Sequence, residues 1–197
     1  MKSGKFKLDA RDVFYIHNEV QKPVEVVLLN GIRHTAKMWD DTGTLRMLAD
    51  NGYSAMSINL PQYIRNYGYD SDLQPDVWLR EVYNKLHILK PILVCPSSAS
   101  ECALPFAIKH PSRISAFVGV APVDLKKYRA GYPRMAIPVL AIWGEHDNVV
   151  PTSDGKNFIS AVPMGEYREI ENIGHNPQVE NPSEFNEILL DFISKNV

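Results

Sequence analysis

Short apolar runs alternate with longer amphipathic stretches along most of the chain. The apolar runs predict strands, because they lack helical spacing and most of them end close to Gly, Pro or Asn. They cover residues 24–29, 53–60, 92–95, 116–120, 139–143 and 167–170. The amphipathic stretches predict helices over or within residues 39–51, 74–89, 101–110, 158–162 and 182–195. An opening β-hairpin is predicted from residues 6–8 and 13–17.

Strands that alternate with helices of this length are typical of βαβ units, which build parallel sheets. Apolar runs without a polar alternation fit strands that are covered on both faces. We therefore predict an α/β fold in which residues 1–197 form one domain, with helices on both faces of a mostly parallel twisted sheet. Ligands of such sheets bind outside the carboxyl ends of the strands. Functional side chains are therefore expected directly after the strands.

Composition excludes several classes of protein. Hydrophobic residues make up 45% of the 197 residues and charged residues 22%, which is ordinary for a globular protein. A formal net charge of −2 argues against nucleic acid as a partner. No apolar run approaches the roughly 18 residues that a membrane span requires, and the first ten residues lack the apolar region of a signal peptide. We expect neither a membrane span nor a leader.

The two cysteines, Cys95 and Cys102, are too few and too close together to indicate a disulfide framework or a metal site. They are expected to be buried thiols, which fits a reducing, cytoplasmic setting. Neither a metal nor a cofactor is expected from the sequence.

The segment from Pro91 to Ser100 is the first candidate for chemistry. An apolar run ends in Cys95 and Pro96, then Ser97 and Ser98 precede a predicted helix. A serine on a sharp turn between a buried strand and a helix is the geometry of a nucleophile elbow. The usual flanking glycines are replaced here by the small residues Cys95 and Ala99.

Two further strand ends supply the partners that such a serine needs. Asp147 follows the strand 139–143, and His175 follows the strand 167–170. A serine hydroxyl is a weak nucleophile until a base takes its proton, and a histidine can act as that base near neutral pH. A carboxylate then orients the imidazole. The chain order Ser97, Asp147, His175 is the order that α/β-hydrolases use, so we predict that these residues are catalytic.

Alternatives exist for two of these roles. Ser100 also lies in the elbow, although Ser97 is nearer the end of the strand, where the turn is tightest. Asp124 follows the strand 116–120 and could supply the carboxylate in place of Asp147. His34 is expected at the rim of the pocket rather than as the base.

Asn30 and Gly31 follow the first core strand, where hydrolases of this class form half of the oxyanion hole. The backbone N–H groups of Ile32 and Ser98 are the predicted oxyanion donors. Glycine at position 31 permits the close backbone approach that the first of these requires.

The residues described so far resemble the small, lid-less α/β-hydrolases of the alpha/beta-hydrolase domain-containing 14 family. The resemblance covers nearly the whole chain. In that family the elbow serine follows a proline and lies seven residues before the leucine of an L-P-F motif, which matches Ser97 and Leu104. Its landmarks lie in residues 26–33, 43–53, 96–106 and 117–123 and in the segments around Asp147 and His175.

The resemblance implies an α/β-hydrolase fold with a minimal lid or none, and esterase-like or acyl-transfer activity on small activated esters without a metal. Arg33, Trp39 and Tyr63 are the predicted substrate-binding residues. The chain departs from the family at Asn30, where such loops usually carry histidine, and at residues 59–62, where N-L-P-Q replaces D-L-P-G. These changes affect the shape of the pocket and leave the three predicted catalytic residues intact.

We therefore expect a serine hydrolase whose partner is a small-molecule acyl substrate. The segment between Asn59 and the predicted helix at 74–89 is too short for a large lid domain, so a shallow pocket that favours short acyl groups is expected. The competing hypothesis is a binding protein on the same fold that turns its ligand over slowly or not at all, with a protein as partner.

Overall fold

The computed structural model describes residues 1–8, 10–60 and 74–196. Strands in these residues form one eight-stranded sheet. They are β1 (Lys2–Leu8), β2 (Arg11–His17), β3 (Val26–Leu28), β4 (Ala55–Ile58), β5 (Ile92–Pro96), β6 (Ala116–Val120), β7 (Val139–Gly144) and β8 (Gly165–Ile170). Their order across the sheet is β1-β2-β4-β3-β5-β6-β7-β8.

One strand runs against all the others. β2 pairs antiparallel with β1 and with β4, whereas every pair from β4 to β8 is parallel. The predicted opening hairpin and the mostly parallel sheet are both confirmed. Because β3 to β7 are parallel, their carboxyl ends meet at one edge of the sheet, which is where ligands bind in such folds.

Helices lie on both faces of the sheet. They are α1 (Met38–Asp41), α2 (Thr44–Asp50), α3 (Pro75–Lys85), α4 (Ser100–Lys109), α5 (Leu125–Tyr128), α6 (Thr152–Ala161), α7 (Pro177–Glu180) and α8 (Pro182–Asn196). Short 3₁₀ turns cover Ser97–Ala99, Pro111–Arg113 and Arg129–Arg134.

Two apolar clusters, one on each face, explain why the central strands show no polar alternation. Val27 belongs to the cluster under α3, α4 and α6, whereas Val26 and Leu28 belong to the cluster under α1, α2 and α8. All three residues of β3 are 0% exposed. Burial on both faces therefore accounts for the continuous apolar runs.

The predicted elements are present, with changes at some of their ends. The helix predicted over 39–51 is two short helices, because Gly43 between them has a φ of 76° and breaks the hydrogen-bond ladder. The predicted strand at 53–60 is shorter and the predicted helix at 74–89 begins at Pro75, a residue suited to the first helical turn. The short helices α5 and α7 were not predicted, since four residues carry too little periodicity to be recognised.

In the part of the chain that the structure describes, no helix combines the length and the apolarity that crossing a bilayer requires. The predicted substrate-binding residue Tyr63 lies within residues 61–73, which are outside the described residues.

Candidate active site

Ser97 lies on the sharp turn that joins β5 to α4. The strand ends at Pro96, Ser97 has a φ of 48°, and the 3₁₀ turn of residues 97–99 leads directly into the helix. A positive φ is uncommon for a residue with a side chain and points to a functional constraint on the backbone. The amide of Val123, after β6, donates to the carbonyl of Ser97 at 3.2 Å and ties this turn to the neighbouring strand end.

Three side chains that are far apart in the sequence form a chain of hydrogen bonds at this edge of the sheet. Ser97 Oγ lies 2.9 Å from Nε2 of His175, and Nδ1 of His175 lies 2.8 Å from Oδ2 of Asp147. Because a carboxylate only accepts, Nδ1–H donates to Asp147, which leaves Nε2 free to accept the serine proton. The structure thus brings together the three residues that the sequence singled out.

Both carboxylate oxygens of Asp147 accept hydrogen bonds that fix its position. Its side chain is 0% exposed, and Oδ1 accepts the amides of Val149 and Val150 at 2.8 and 2.9 Å while Oδ2 accepts from His175. Burial alone would raise the pKa of this carboxyl. The hydrogen bonds from His175, Val150 and Val149 outweigh burial, so the pKa of Asp147 lies below its ordinary value and the carboxylate stays charged.

The loops that carry Asp147 and His175 are joined by backbone hydrogen bonds. Glu145 N donates to Ile170 O and His146 N donates to Ile173 O, both at 2.9 Å. The carboxylate of Glu145 also accepts the amide of Asn172 at 3.0 Å. The distance between acid and base is therefore set by the ends of two adjacent strands rather than by two independent loops.

The loop after β3 forms the opposite wall of the site. Ile32 and Ser98 both line the cleft with Ser97, where their backbone amides were predicted as oxyanion donors. Asn30 shapes this loop: it is 0% exposed, its Nδ2 donates to the carbonyl of His34 at 2.5 Å, and its Oδ1 accepts the amide of Leu60 at 3.1 Å. Asn30 thereby ties the loop to the end of β4.

The cleft above Ser97 has a volume of about 560 Å³ in the described part of the chain. Polar and charged side chains make up much of its wall. They include Arg33, His34, Glu101, His146 and His175. Arg33 thus lies where a substrate-binding residue was predicted, and His34 lies at the wall of the pocket as expected.

The two alternatives left open by the sequence differ from the main candidates in their contacts. Ser100 is 0% exposed, its hydroxyl donates to the carbonyl of Val123 at 2.9 Å, and it is not among the described residues that line the cleft. Asp124 has a φ of 56° and precedes α5, whereas the imidazole of His175 is bonded to Asp147. Neither alternative joins the hydrogen-bond chain.

Trp39 corrects one prediction. It is 0% exposed, its indole Nε1 donates to the carbonyl of Leu29 at 2.6 Å, and its ring packs at 5.8 Å from that of Phe185 on α8. This position in the core is incompatible with contact to a substrate in the cleft. An aromatic residue after a loop motif looks the same in the sequence whether it faces the cleft or the core.

Sequence reasoning missed two residues that shape the site. Asn30 was noticed only as a departure from a family pattern, and its hydrogen bonds depend on partners up to 30 positions away. Gly144 was interpreted as the end of a strand, although its lack of a side chain lets two loops touch. In the described residues, no group of three or more His, Cys, Asp and Glu side chains is arranged to hold a metal ion.

Comparison with known proteins gives relatives for most of the chain, although no family model matches it. "Protein ABHD14A" of Danio rerio is 32% identical over 87% of the chain, which spans 65% of that relative's length. "Putative protein-lysine deacylase ABHD14B" of Rattus norvegicus is 31% identical over 86% of the chain and 83% of the relative. The matched part of the chain thus spans about two thirds of ABHD14A and most of ABHD14B.

Solved structures show the same fold at lower identity. A "predicted CIB-like hydrolase" of Thermoplasma acidophilum superposes with a TM-score of 0.88 at 20% identity and covers 98% of this chain and 97% of its own. A serine hydrolase of Cycloclasticus zankles superposes with a TM-score of 0.84 at 13% identity, with 98% of both chains covered. The fold is therefore that of the α/β-hydrolases, as the sequence predicted.

Proposed function

The chain belongs to the ABHD14 family of α/β-hydrolases, and from this premise we propose that it is a serine hydrolase that cleaves small acyl esters through an acyl-enzyme on Ser97. The observation that carries the proposal is the hydrogen-bond chain from Ser97 through His175 to Asp147. The imidazole of His175 lies 2.9 Å from the hydroxyl of Ser97 and is itself held by the buried carboxylate of Asp147. A nucleophile requires both.

The mechanism uses each of these groups once in each half of the reaction. Nε2 of His175 takes the proton of Ser97 while Oγ forms a bond to the carbonyl carbon of the ester. Asp147 stabilises the imidazolium that results. The tetrahedral intermediate then collapses as the imidazolium gives its proton to the departing alkoxide, and the acyl group stays on Ser97. In the second half a water molecule loses its proton to His175 and attacks the acyl carbon. The resulting tetrahedral intermediate breaks its bond to Oγ of Ser97, which takes the proton back from His175, and the acid is released.

The amides of Ile32 and Ser98 are the proposed donors to the oxyanion. Each such donor lowers the barrier by about 3–4 kcal/mol when it is aimed at the developing charge. Asn30 supports this role because its hydrogen bonds hold the loop in which Ile32 lies. Arg33 and the apolar side chains of Ile32 and Val149, which line the cleft, are the proposed contacts to the substrate.

The names of the ABHD14B relatives describe a protein-lysine deacylase. An acylated lysine is an amide of a short acid, and the same attack by Ser97 would form the same acyl-enzyme from it. Esters and acyl-lysine peptides are therefore tested side by side.

A fluorophosphonate probe tests the proposal, because it reacts covalently with an activated serine. We expect the folded wild-type protein to be labelled, the Ser97→Ala variant not to be labelled, and the Ser100→Ala variant to be labelled normally. Ser100→Ala is the matched control, since it removes a hydroxyl three positions away that donates to the backbone carbonyl of Val123. Turnover of p-nitrophenyl acetate and of an acetyl-lysine peptide is measured on the same three proteins.

The outcomes separate the competing hypotheses. Labelling that survives in Ser97→Ala would assign the nucleophile elsewhere. A folded wild-type protein that is neither labelled nor active on either substrate would favour a binding protein on this fold.

A further inference from the structure

Glu180 is the last residue of α7 and lines the cleft, yet neither of its carboxylate oxygens is directed at Ser97. Oε2 accepts the amide of Gly174 at 2.7 Å, and Oε1 accepts the amide of Asn176 at 2.8 Å. The carboxylate therefore spans the residues immediately before and after His175. We propose that Glu180 is a positioning residue that sets the orientation of the His175 imidazole. This inference rests on the proposed function.

The two hydrogen bonds restrict the backbone on both sides of His175. Each is charge-assisted and short, and together they fix the peptide units 173–174 and 175–176 relative to one planar carboxylate. The peptide unit 174–175 and the Cα of His175 lie between these two fixed units, so the direction in which the Cα–Cβ bond of His175 leaves the chain is restricted from both sides. The distance of 2.9 Å from Nε2 to Ser97 is thereby tied to the geometry of the carboxylate.

The main chain of α7 also bonds to the segment that follows His175. Val179 N and Glu180 N both donate to the carbonyl of Asn176, at 2.8 and 2.9 Å. The main chain of Glu180 thus turns back to Asn176, while its side chain reaches past it to Gly174. A carboxylate one methylene shorter on the same backbone would not reach both amides.

Gly174 provides a second observation. A Cβ at this position would lie 3.1 Å from Oε2 and 3.3 Å from Oε1 of Glu180, closer than ordinary contacts between such atoms. Glycine at 174 therefore leaves room for the carboxylate directly beside the histidine. The start of the loop is anchored separately, by Glu145 at the amide of Asn172. Glu180 anchors its end.

Because Glu180 is exposed, its replacement removes little buried surface, and the variants are expected to fold. Glu187, an exposed carboxylate on α8 that is not part of the cleft, provides the matched control with the same change in charge. Glu180→Gln keeps one acceptor oxygen and places an NH₂ group against the other amide. Glu180→Ala loses both acceptors.

The test measures kcat and KM for p-nitrophenyl acetate on wild type, Glu180→Ala, Glu180→Gln and Glu187→Ala. We expect kcat to fall about 10- to 100-fold in Glu180→Ala with KM within about two-fold, because displacement of a catalytic group by about 1 Å has effects of this size. The kcat of Glu180→Gln is expected to lie between those of wild type and Glu180→Ala. The kcat of Glu187→Ala is expected to match that of wild type. A kcat for Glu180→Ala within two-fold of wild type would overturn the proposal.

A spectroscopic measurement keeps this inference separate from the proposed function. The proton that His175 Nδ1 donates to Asp147 is expected to give a low-field ¹H NMR signal. This signal should broaden or shift in Glu180→Ala and stay unchanged in Glu187→Ala, whatever the substrate is. An unchanged signal in Glu180→Ala would refute the positioning role, whereas an inactive wild type with an altered signal in that variant would refute only the esterase proposal.

Discussion

Gly144 and Gly174 touch backbone to backbone: a Cβ placed on Gly144 would lie 2.0 Å from the carbonyl oxygen of Gly174. Gly144 ends β7, three residues before Asp147, and Gly174 directly precedes His175. The acid and the base of the proposed triad are therefore brought together by a contact that only glycine at position 144 allows. Five predictions follow from this and from the other contacts of the site.

Gly144→Ala is expected to lower both stability and activity. The added methyl group meets backbone that cannot rotate away, so the free energy of unfolding should fall by about 1–3 kcal/mol or more. The shift of the His175 loop should reduce kcat/KM by about 100-fold. Gly52→Ala is the control: it has a φ of 79° but nothing within 4 Å of its Cβ, so a loss of about 1–2 kcal/mol with full activity is expected.

Thermal melts and ester turnover check this prediction. Full activity in Gly144→Ala would mean that the two loops do not need this contact to align Asp147 with His175.

Asp147 should contribute to the pH dependence of stability at acid pH. Its folded-state pKa is below the ordinary value, so the contribution is complete above about pH 4 and is lost as pH falls through the folded-state pKa. Asp147→Asn has no titrating carboxyl at this position and therefore lacks this pH-dependent contribution to stability. The difference in unfolding free energy between wild type and Asp147→Asn should therefore narrow between pH 4.5 and pH 2.5, by about 1.4 kcal/mol for each pKa unit of lowering.

Urea denaturation at several pH values in this window provides the measurement. A difference that widens on acidification would show that the pKa of Asp147 is raised, the opposite sign.

Asn30→Ala should impair catalysis by loosening the loop after β3. The substitution removes the hydrogen bonds of Asn30 to the amide of Leu60 and to the carbonyl of His34, which costs about 0.5–1.5 kcal/mol for each bond. The amide of Ile32 moves with the loop, so kcat should fall more than KM rises. Asn51→Ala is the control, because Asn51 is exposed and bonds only the carbonyl of Met47 on α2.

Melting temperature and ester kinetics of both variants test this role. If Asn30→Ala loses stability but keeps its kcat, Asn30 contributes to folding and not to catalysis.

The two thiols should be unreactive in the native protein. Cys95 and Cys102 are 0% exposed, and burial raises the pKa of both thiols well above the ordinary value. Iodoacetamide at pH 8 is expected to add no mass to the folded protein within an hour and to modify both cysteines in denaturant. Intact-mass spectrometry makes the comparison, and rapid modification of the native protein would contradict the burial.

Short acyl groups should be preferred. The cleft of about 560 Å³ opens directly over Ser97, and it is lined both by charged side chains such as Arg33 and by apolar ones such as Ile32 and Val149. Values of kcat/KM for p-nitrophenyl esters are expected to be highest for acetate or butyrate and to decline with longer chains. A preference for decanoate or longer would require an apolar channel that the described residues do not form.

The order of the elements and the class of the fold could be read from the chain by itself. Long apolar runs such as 116–120 and 139–143 need a partner on each face, and this requirement holds whatever the partners are. Ser97, Asp147 and His175 could be named for a related reason, because each directly follows a predicted strand and parallel strands end at a common edge.

Other features depended on contacts between distant segments. Trp39 occupies the core rather than the cleft because its indole donates to the carbonyl of Leu29, directly after β3, and packs against the ring of Phe185 on α8. Gly43 breaks a helix through its φ value, which the spacing of apolar residues does not reveal. The roles of Asn30, Gly144 and Glu180 arise from hydrogen bonds or close approaches to backbone atoms, and any residue has the same backbone. Only the tertiary structure therefore decides which backbone groups these residues meet, whereas hydrophobic periodicity is a property of the sequence itself.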